Sequence, residues 1–361
     1  MPEEIFPDLY RLKIPLPESP LKYLNSYILK SPDRNLIIDT GLNRRECLEA
    51  MQAGLAELSV DLERSDIFIT HLHADHFGLV NKLARASNRI YFSRPEKELI
   101  ESWEGFDAMI AYAGKNGFPE DRLRTALEKH PGNKYGSQWI PELSLLDDGD
   151  PIACGRYRFR CVTTPGHTLG HLCLYEAEQK ILIAGDHILD DITPNIQCWT
   201  DGQNPLKWYL ASLDKTAALE VERVLPGHRR LIGDHRARIG ELKRHHANRL
   251  DEALAILANG PMTAFETAAQ MTWDIKCDTW DDFPVMQQWF ATGEAISHLR
   301  YLEEEGKVTR EEVGRAEARR AEIGREKVGR DRRARRSGNG KGEGRKERGE
   351  GSKKIRYQLV H

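Results

Sequence analysis

Several absences narrow this chain before any motif is read. Only six cysteines are spread over 361 residues and none forms a C-x-x-C pair, so a disulfide framework is not expected. Cys154, Cys161 and Cys173 fall in strand-like runs and read as buried thiols, which suits a reducing, cytoplasmic setting. No apolar run approaches the roughly 18 residues a spanning helix needs, so no membrane association is expected. The first residues, Met1-Pro2-Glu3-Glu4, are acidic and lead into no apolar h-region, so no secretory signal is expected. What is present, 40% hydrophobic and 30% charged residues, is the balance of a globular protein long enough for a large α/β domain and a small appendage.

The net charge of −3 conceals an uneven distribution. Residues 307–356 hold 19 Lys/Arg and 9 Asp/Glu, a local +10, which leaves −13 for the rest. The stretch 311–353 is mostly Gly, Arg and Glu, and reads as a disordered basic insertion with too few large apolar residues for a core. Such a run is a solvated tail or a surface for nucleic acid.

Hydrophobic periodicity supplies the elements. Tyr27–Leu29 and Asn35–Asp39 read as strands around a Ser31–Arg34 turn, and residues 44–58 as a helix. Asp66–Thr70 is a buried strand that runs directly into a histidine cluster. Residues 95–140 read as a helical insertion in which Trp103, Phe106, Met109, Ile110 and Tyr112 form either a lid over a substrate or the insertion's own core. Strands return at 156–164, 171–176 and 180–185, followed by a helix at 205–219 and a strand at 221–225. This alternation predicts an α/β sandwich of two related halves. Past residue 240 the pattern becomes three helices, at 241–258, 263–272 and 285–305, then two short strands near 306–309 and 355–360. That order is the order of a winged helix. His245 and His246 read as solvent-exposed.

The densest chemistry is His71-Leu72-His73-Ala74-Asp75-His76. An extended chain end points His71 and His73 to one side, and Asp75 and His76 follow as the chain turns. Two imidazoles on one metal and a carboxylate with an imidazole on a second is a natural division, since both donor types suit zinc, manganese or iron. Three further segments each place one ligand-type residue just beyond a strand, beside Gly or Pro: Pro165-Gly166-His167, Gly185-Asp186 and Pro226-Gly227-His228. A lone histidine after Pro-Gly is more often a turn residue; the four segments together make the metal reading. Asp39, also at a strand end, reads as either a ligand-orienting or a turn-forming carboxylate. His171 reads as either facing the pocket or packing on a strand.

These segments, with Ile38-Asp39-Thr40-Gly41, make residues 1–240 resemble the metallo-β-lactamase superfamily. The resemblance implies an αββα sandwich. It also implies that His71, His73 and His167 bind one metal, that Asp75, His76 and His228 bind another, and that Asp186 bridges the two. The run from Thr163 to Tyr175 (TTPGHTLGHLCLY) is similar to the glyoxalase II-like, hydroxyacylglutathione hydrolase-like branch. The bridging Asp186 departs from true β-lactamases, and His73 departs from the flavodiiron oxygen reductases, which have Glu there. The part beyond residue 241 resembles the winged-helix appendage of lactamase-like hydrolases and endoribonucleases, apart from the low-complexity insertion.

The resemblance thus implies a hydrolase with two divalent metal ions, zinc first, with iron or manganese sharing the ligands. A bridging hydroxide would cleave a small thioester, ester or lactone, and Asp75 or Asp186 would handle protons. The competing readings are a metal-dependent endoribonuclease or phosphodiesterase, a mononuclear iron dioxygenase and a metal-sensing winged-helix regulator. Expected partners are a small-molecule substrate, nucleic acid through the winged helix and basic tail, and a second copy in a homodimer.

Overall fold

A computed structural model describes residues 1–128, 141–314 and 353–360. Of the basic insertion expected at 311–353, residues 311–313 instead belong to a strand that pairs with the C-terminal one, and residues 315–352, like residues 129–140 of the helical insertion, lie outside the described residues. The chain forms two compact units. One comprises residues 1–106 and 124–248; the other comprises residues 107–123 and those from Arg249 onward.

The larger unit is built on two sheets. The first has seven strands in sequence order: β1 (Glu3–Phe6), β2 (Leu9–Pro15), β3 (Tyr23–Leu29), β4 (Asn35–Ile38), β5 (Ser65–Phe68), β6 (Ile90–Ser93) and β7 (Ser144–Leu146). β1 to β4 are antiparallel hairpin neighbours, whereas β4 to β7 run parallel. Parallel pairing demands crossovers. Three are short or helical: α1 (Arg45–Glu57), α2 (Ala74–Phe77) with α3 (Val80–Leu83), and α4 (Arg94–Glu101) after β6. The second sheet has the order β12-β11-β10-β9-β8, from β8 (Pro151–Cys154), β9 (Tyr157–Thr163), β10 (Leu172–Glu176), β11 (Ile181–Gly185) and β12 (Arg223–Pro226).

Period-two alternation decides which face each residue serves. Leu36, Ile38 and Phe68 join Phe159, Leu172, Leu174, Ile183 and Leu225 in the core between the two sheets. Ile37, Ile67 and Ile69 point the other way, into a second core with Cys47, Met51 and Leu55 of α1 and Val80 and Leu83 of α3. This is the expected αββα sandwich. Its consequence for the site is geometric: β4, β5, β11 and β12 all end at one edge, where the chain turns out of the sheets.

The smaller unit contains α5 (Asp107–Lys115), α6 (Glu120–Leu127) only in its first turn, α8 (His235–Leu257) from Arg249 on, α9 (Ala264–Ala268), α10 (Val285–Glu304) and the antiparallel pair β13 (Val308–Val313) and β14 (Lys354–Leu359); α7 (Pro205–Ala217) belongs to the larger unit. Thr263 caps α9 in a reciprocal capping box with Glu266, as the Thr-x-x-Glu spelling prescribes. Met262 bridges Tyr357 and extends the hairpin by one pairing. Ile110 and Tyr112 are buried here, and Phe118 stacks edge-on against Phe265 at 5.1 Å. These apolar residues of the insertion therefore serve a core, while Trp103 stands 46% exposed beside Phe106.

Two readings are corrected. The helix expected at 241–258 begins at His235, because Asp234 caps it through the Ala237 N–H at 2.9 Å and Ile239 and Leu242 are buried. His246 is buried, with its ring 5.4 Å from that of Tyr209. The polar name of the residue hid a position on the packed face of the helix.

Candidate metal centre

Seven side chains converge where the strands end. His71 and His73 lie in the loop that leaves β5, His73 in extended conformation, and their imidazoles meet, Nε2 to Nδ1, at 3.0 Å. The turn after β9 brings His167 Nε2 to 3.0 Å from His73 Nδ1. One turn past His73, His76 Nε2 lies 3.5 Å from Asp186 Oδ1, at the end of β11. His228, past the end of β12, places Nε2 3.4 Å from both Asp75 Oδ2 and Asp186 Oδ2. Asp186 is also 3.7 Å from His167, so its carboxylate touches members of both clusters. The donor atoms form three overlapping sets, each within 4.8 Å: His71, His73 and His167; His71, His76 and Asp186; Asp75, His76 and His228.

The close approach depends on Gly227. A Cβ there would lie 2.5 Å from Asp186 Oδ1 and 2.8 Å from His76 Cε1. Any side chain would push the loop out of the cluster.

The outward faces of the imidazoles are already engaged. His76 Nδ1 meets Asp39 Oδ2 at 2.7 Å, His167 Nδ1 meets the Asn195 carbonyl at 2.9 Å, and His228 Nδ1 meets the Tyr23 carbonyl at 3.0 Å. A carbonyl only accepts, so His167 and His228 each carry a proton on Nδ1 and turn Nε2 inward. Asp39 imposes the same tautomer on His76, and both its oxygens also engage Thr70, through the backbone N–H at 2.8 Å and the hydroxyl. Of the two readings of Asp39, the structure shows the orienting one.

Electrostatics divide the cluster. Burial, reinforced by neighbouring imidazoles, drives His71 far below the usual histidine range, and burial with His167 pushes His73 down to about 3. Burial opposes a proton on His228 as well, but Asp186 and Asp75 overcome it and carry that group up to about 10. His76 is raised against its burial by Asp39, Asp186 and Asp75. Burial disfavours the carboxylates, yet His76 and His228 hold Asp75 below its ordinary range, and His228 and His76 do the same for Asp186. One side of the site is thus a neutral nitrogen pocket, and the other sets two carboxylates against two imidazoles that hold protons in their place until a cation replaces them.

Residues 21–228 match the model of the metallo-beta-lactamase superfamily, which spans more than half of the chain. The chain belongs to the metallo-β-lactamase superfamily. Residues 250–319 match a second model, the metallo-beta-lactamase-like C-terminal domain. A metallo-beta-lactamase family protein of Thermus thermophilus has a similar structure, with a TM-score of 0.73 and 33% identity, covering 85% of this chain and 97% of that one. The probable metallo-hydrolase YqjP of Bacillus subtilis is 25% identical over 322 residues, 84% of this chain and 94% of that protein. The human acyl-coenzyme A thioesterase MBLAC2 is 25% identical over 222 residues, 59% of this chain and 75% of that enzyme. The protein is therefore a metallo-hydrolase of this superfamily.

The residues present fit the divalent metal that the superfamily binds. His76 Nε2, His228 Nε2 and Asp186 Oδ1 are buried without a hydrogen-bond partner, a state that costs free energy unless a cation takes the lone pairs. Five imidazoles among the seven donors favour a transition metal over calcium or magnesium, which take oxygen ligands.

Of four supporting groups in this superfamily member, sequence reading missed three and left one, His171, undecided. Asn25 donates to the carbonyls of Pro226 and Arg229 at 2.9 and 3.0 Å, and Tyr27 donates to Pro226 at 2.8 Å. Together they fix the His228 loop on β3. His171 is buried; its Nε2 accepts from the Asp186 N–H at 3.1 Å, and its Nδ1 lies 2.8 Å from the Thr164 hydroxyl. It holds the backbone of Asp186. The fourth is Glu96, treated below. The spelling Gly-His-Thr-x-Gly-His was a usable signal for His171; nothing in the local sequence marked the others.

Proposed function

We propose that the chain is a dinuclear metallo-hydrolase that cleaves a small thioester, ester or lactone. The observation that carries this reading is the set of inward lone pairs from two abutting clusters that share Asp186. His71, His73 and His167 would hold one metal and Asp75, His76 and His228 the other, with Asp186 between them. Two divalent ions, zinc first, would supply Lewis acidity and a water ionised near neutral pH. The protein's own part is orientation: Asp39, His171 and the Asn195 and Tyr23 carbonyls hold the ligands in fixed tautomers, so little reorganisation accompanies reaction. Asp75, whose side chain is 21% exposed, is the carboxylate placed to pass a proton to a leaving group. The thioester preference is supported by the human relative described as an acyl-coenzyme A thioesterase. All six cysteines are unpaired, in keeping with a reducing compartment, and no helix among the described residues is long and apolar enough to cross a membrane.

The smaller unit, with its helices followed by the β13–β14 hairpin, has the element order of a winged helix. That order keeps the ribonuclease reading testable in the same assay. Metal-loaded protein is offered acyl thioesters, lactones, carboxylic esters and single-stranded RNA. Turnover of a thioester or lactone that is lost with a chelator and restored by a divalent metal is the expected result. Cleavage of RNA alone would overturn the proposal.

A further inference from the structure

Glu96 is wholly buried and lies outside the seven-residue cluster. It sits at the third position of α4, where Ser93 caps the helix by accepting from the Glu96 N–H at 3.3 Å. In a capping box the glutamate at this position turns back to the N-terminal N–H. Here it does not. One oxygen accepts from the Leu72 N–H at 2.9 Å, and the other from the Gly170 N–H at 2.6 Å. Leu72 is the single residue between His71 and His73, and Gly170 lies three residues past His167 in the same turn. One carboxylate therefore ties the loop leaving the seven-stranded sheet to the turn of the five-stranded sheet. Those two segments deliver the three imidazoles of the nitrogen pocket.

We propose that Glu96 is the positioning residue of the His71–His73–His167 metal set, fixing the separation of its two loops through both carboxylate oxygens. The chemistry is specific to a carboxylate. Both partners are N–H donors, and an ionised carboxylate offers an acceptor to each, whereas a carboxamide offers one acceptor and one donor. The two charge-assisted hydrogen bonds offset part of the desolvation, burial still holding the carboxyl above its usual range; remove one and the loop it held is released. The fit is close on the turn side as well. A Cβ on Gly170 would fall 2.8 Å from Glu96 Cγ and 2.9 Å from Glu96 N, so only glycine lets the turn reach the carboxylate.

The inference rests on the proposed metal assignment, and its test separates the two. Metal-free full-length protein is titrated with Co²⁺, and stoichiometry, affinity and the ligand-field absorption of each bound ion are read. If the wild-type protein takes up no ion, the assignment itself fails. With two ions bound by the wild type, Glu96→Gln is expected to weaken the ion with nitrogen-rich absorption about 10- to 100-fold, the range for loss of a ligand-orienting partner. The second ion is expected to bind as before. Ser93→Ala, which removes the cap of the same helix, controls for a merely structural role and is expected to leave both affinities within about threefold. Should Glu96→Gln not fold, Glu96→Asp, which keeps both oxygens but shortens the reach, carries the same expectation. Unchanged affinity in the Glu96 variant, or an equal loss in Ser93→Ala, would overturn the proposal.

Discussion

The two units bury ionisable groups in opposite ways. In the smaller unit, Arg249 is buried, lies 4.0 Å from the Trp273 ring centre, and donates to Glu252 at 2.7 Å and to the Thr272 carbonyl at 2.6 Å. Glu294 lies 3.8 Å from it. Arg249 Nε and Nη2 make no hydrogen bond among the described residues, so the cation is held by Nη1, by the charge of two carboxylates and by an aromatic face. In the larger unit, Asp75 and Asp186 share an interior with five imidazoles and no Lys or Arg completes the set. The outward nitrogens of His76, His167 and His228 are engaged while their inward nitrogens face one another. A buried cation set beside carboxylates is neutralised within its own unit; a buried cluster whose imidazoles and carboxylates all converge inward is prepared to receive a cation.

The contrast can be broken first at its strongest point. Replacing Asp186 with Ala removes the group that touches both clusters. Hydrolytic turnover is expected to fall by about 10³-fold, on the scale of several kcal/mol that bound metals supply, and the count of bound metal ions to drop. Full turnover in the variant, measured beside its metal content, would end the view of the cluster as one site.

A core substitution in the smaller unit addresses the other half of the contrast. Phe118 is 1% exposed and packs on Phe265, so Phe118→Ala is expected to cost about 3–5 kcal/mol of stability by cavity formation. Denaturant melts should record that loss while Co²⁺ stoichiometry stays that of the wild type. A melt unchanged from the wild type would mean that this ring is not a core element.

The smallest effect concerns pH. Burial raises the Glu294 carboxyl from 4.5 to about 7, against the pull of Arg249. The folded state therefore holds this proton more tightly than the unfolded chain does. Its contribution to stability is fully present below about pH 4.5 and is lost as pH rises through about 7. In Glu294→Gln that dependence should vanish, so the stability difference between wild type and variant should drift across this window. A difference that stays flat from pH 4.5 to 8 would show that Glu294 titrates as a solvated carboxyl.

Much of the site was legible because metal ligands obey spacing rules. His71 and His73 stand two apart just past a strand, and each of His167, Asp186 and His228 follows a strand end beside Gly or Pro, so local pattern sufficed to bring all seven forward. The strand expected at 66–70 runs from Ser65 to Phe68, and those expected at 156–164 and 180–185 differ by a residue or so at their ends, because hydrophobic runs mark a strand's middle better than its last ladder bond. Glu96 was hidden for a different reason. Ser93-Arg94-Pro95-Glu96 is spelled as a helix cap, and the local signal accounted for the glutamate before any distant partner was considered. Asn25 and Tyr27 lie about 200 residues from the carbonyls they hold, a separation at which local pattern carries no information.

By itself, then, the sequence determined the layered α/β architecture, the residue types of the candidate metal centre and their placement at strand ends, since these follow from periodicity and turn chemistry within a few residues. Only the tertiary structure decided which tautomer His76, His167 and His228 take, that residues 107–123 pack with the C-terminal unit, and that Glu96 ties two metal-bearing loops rather than capping its own helix. Those outcomes depend on backbone groups from segments far apart in the chain, and a carbonyl or N–H has no letter in a sequence.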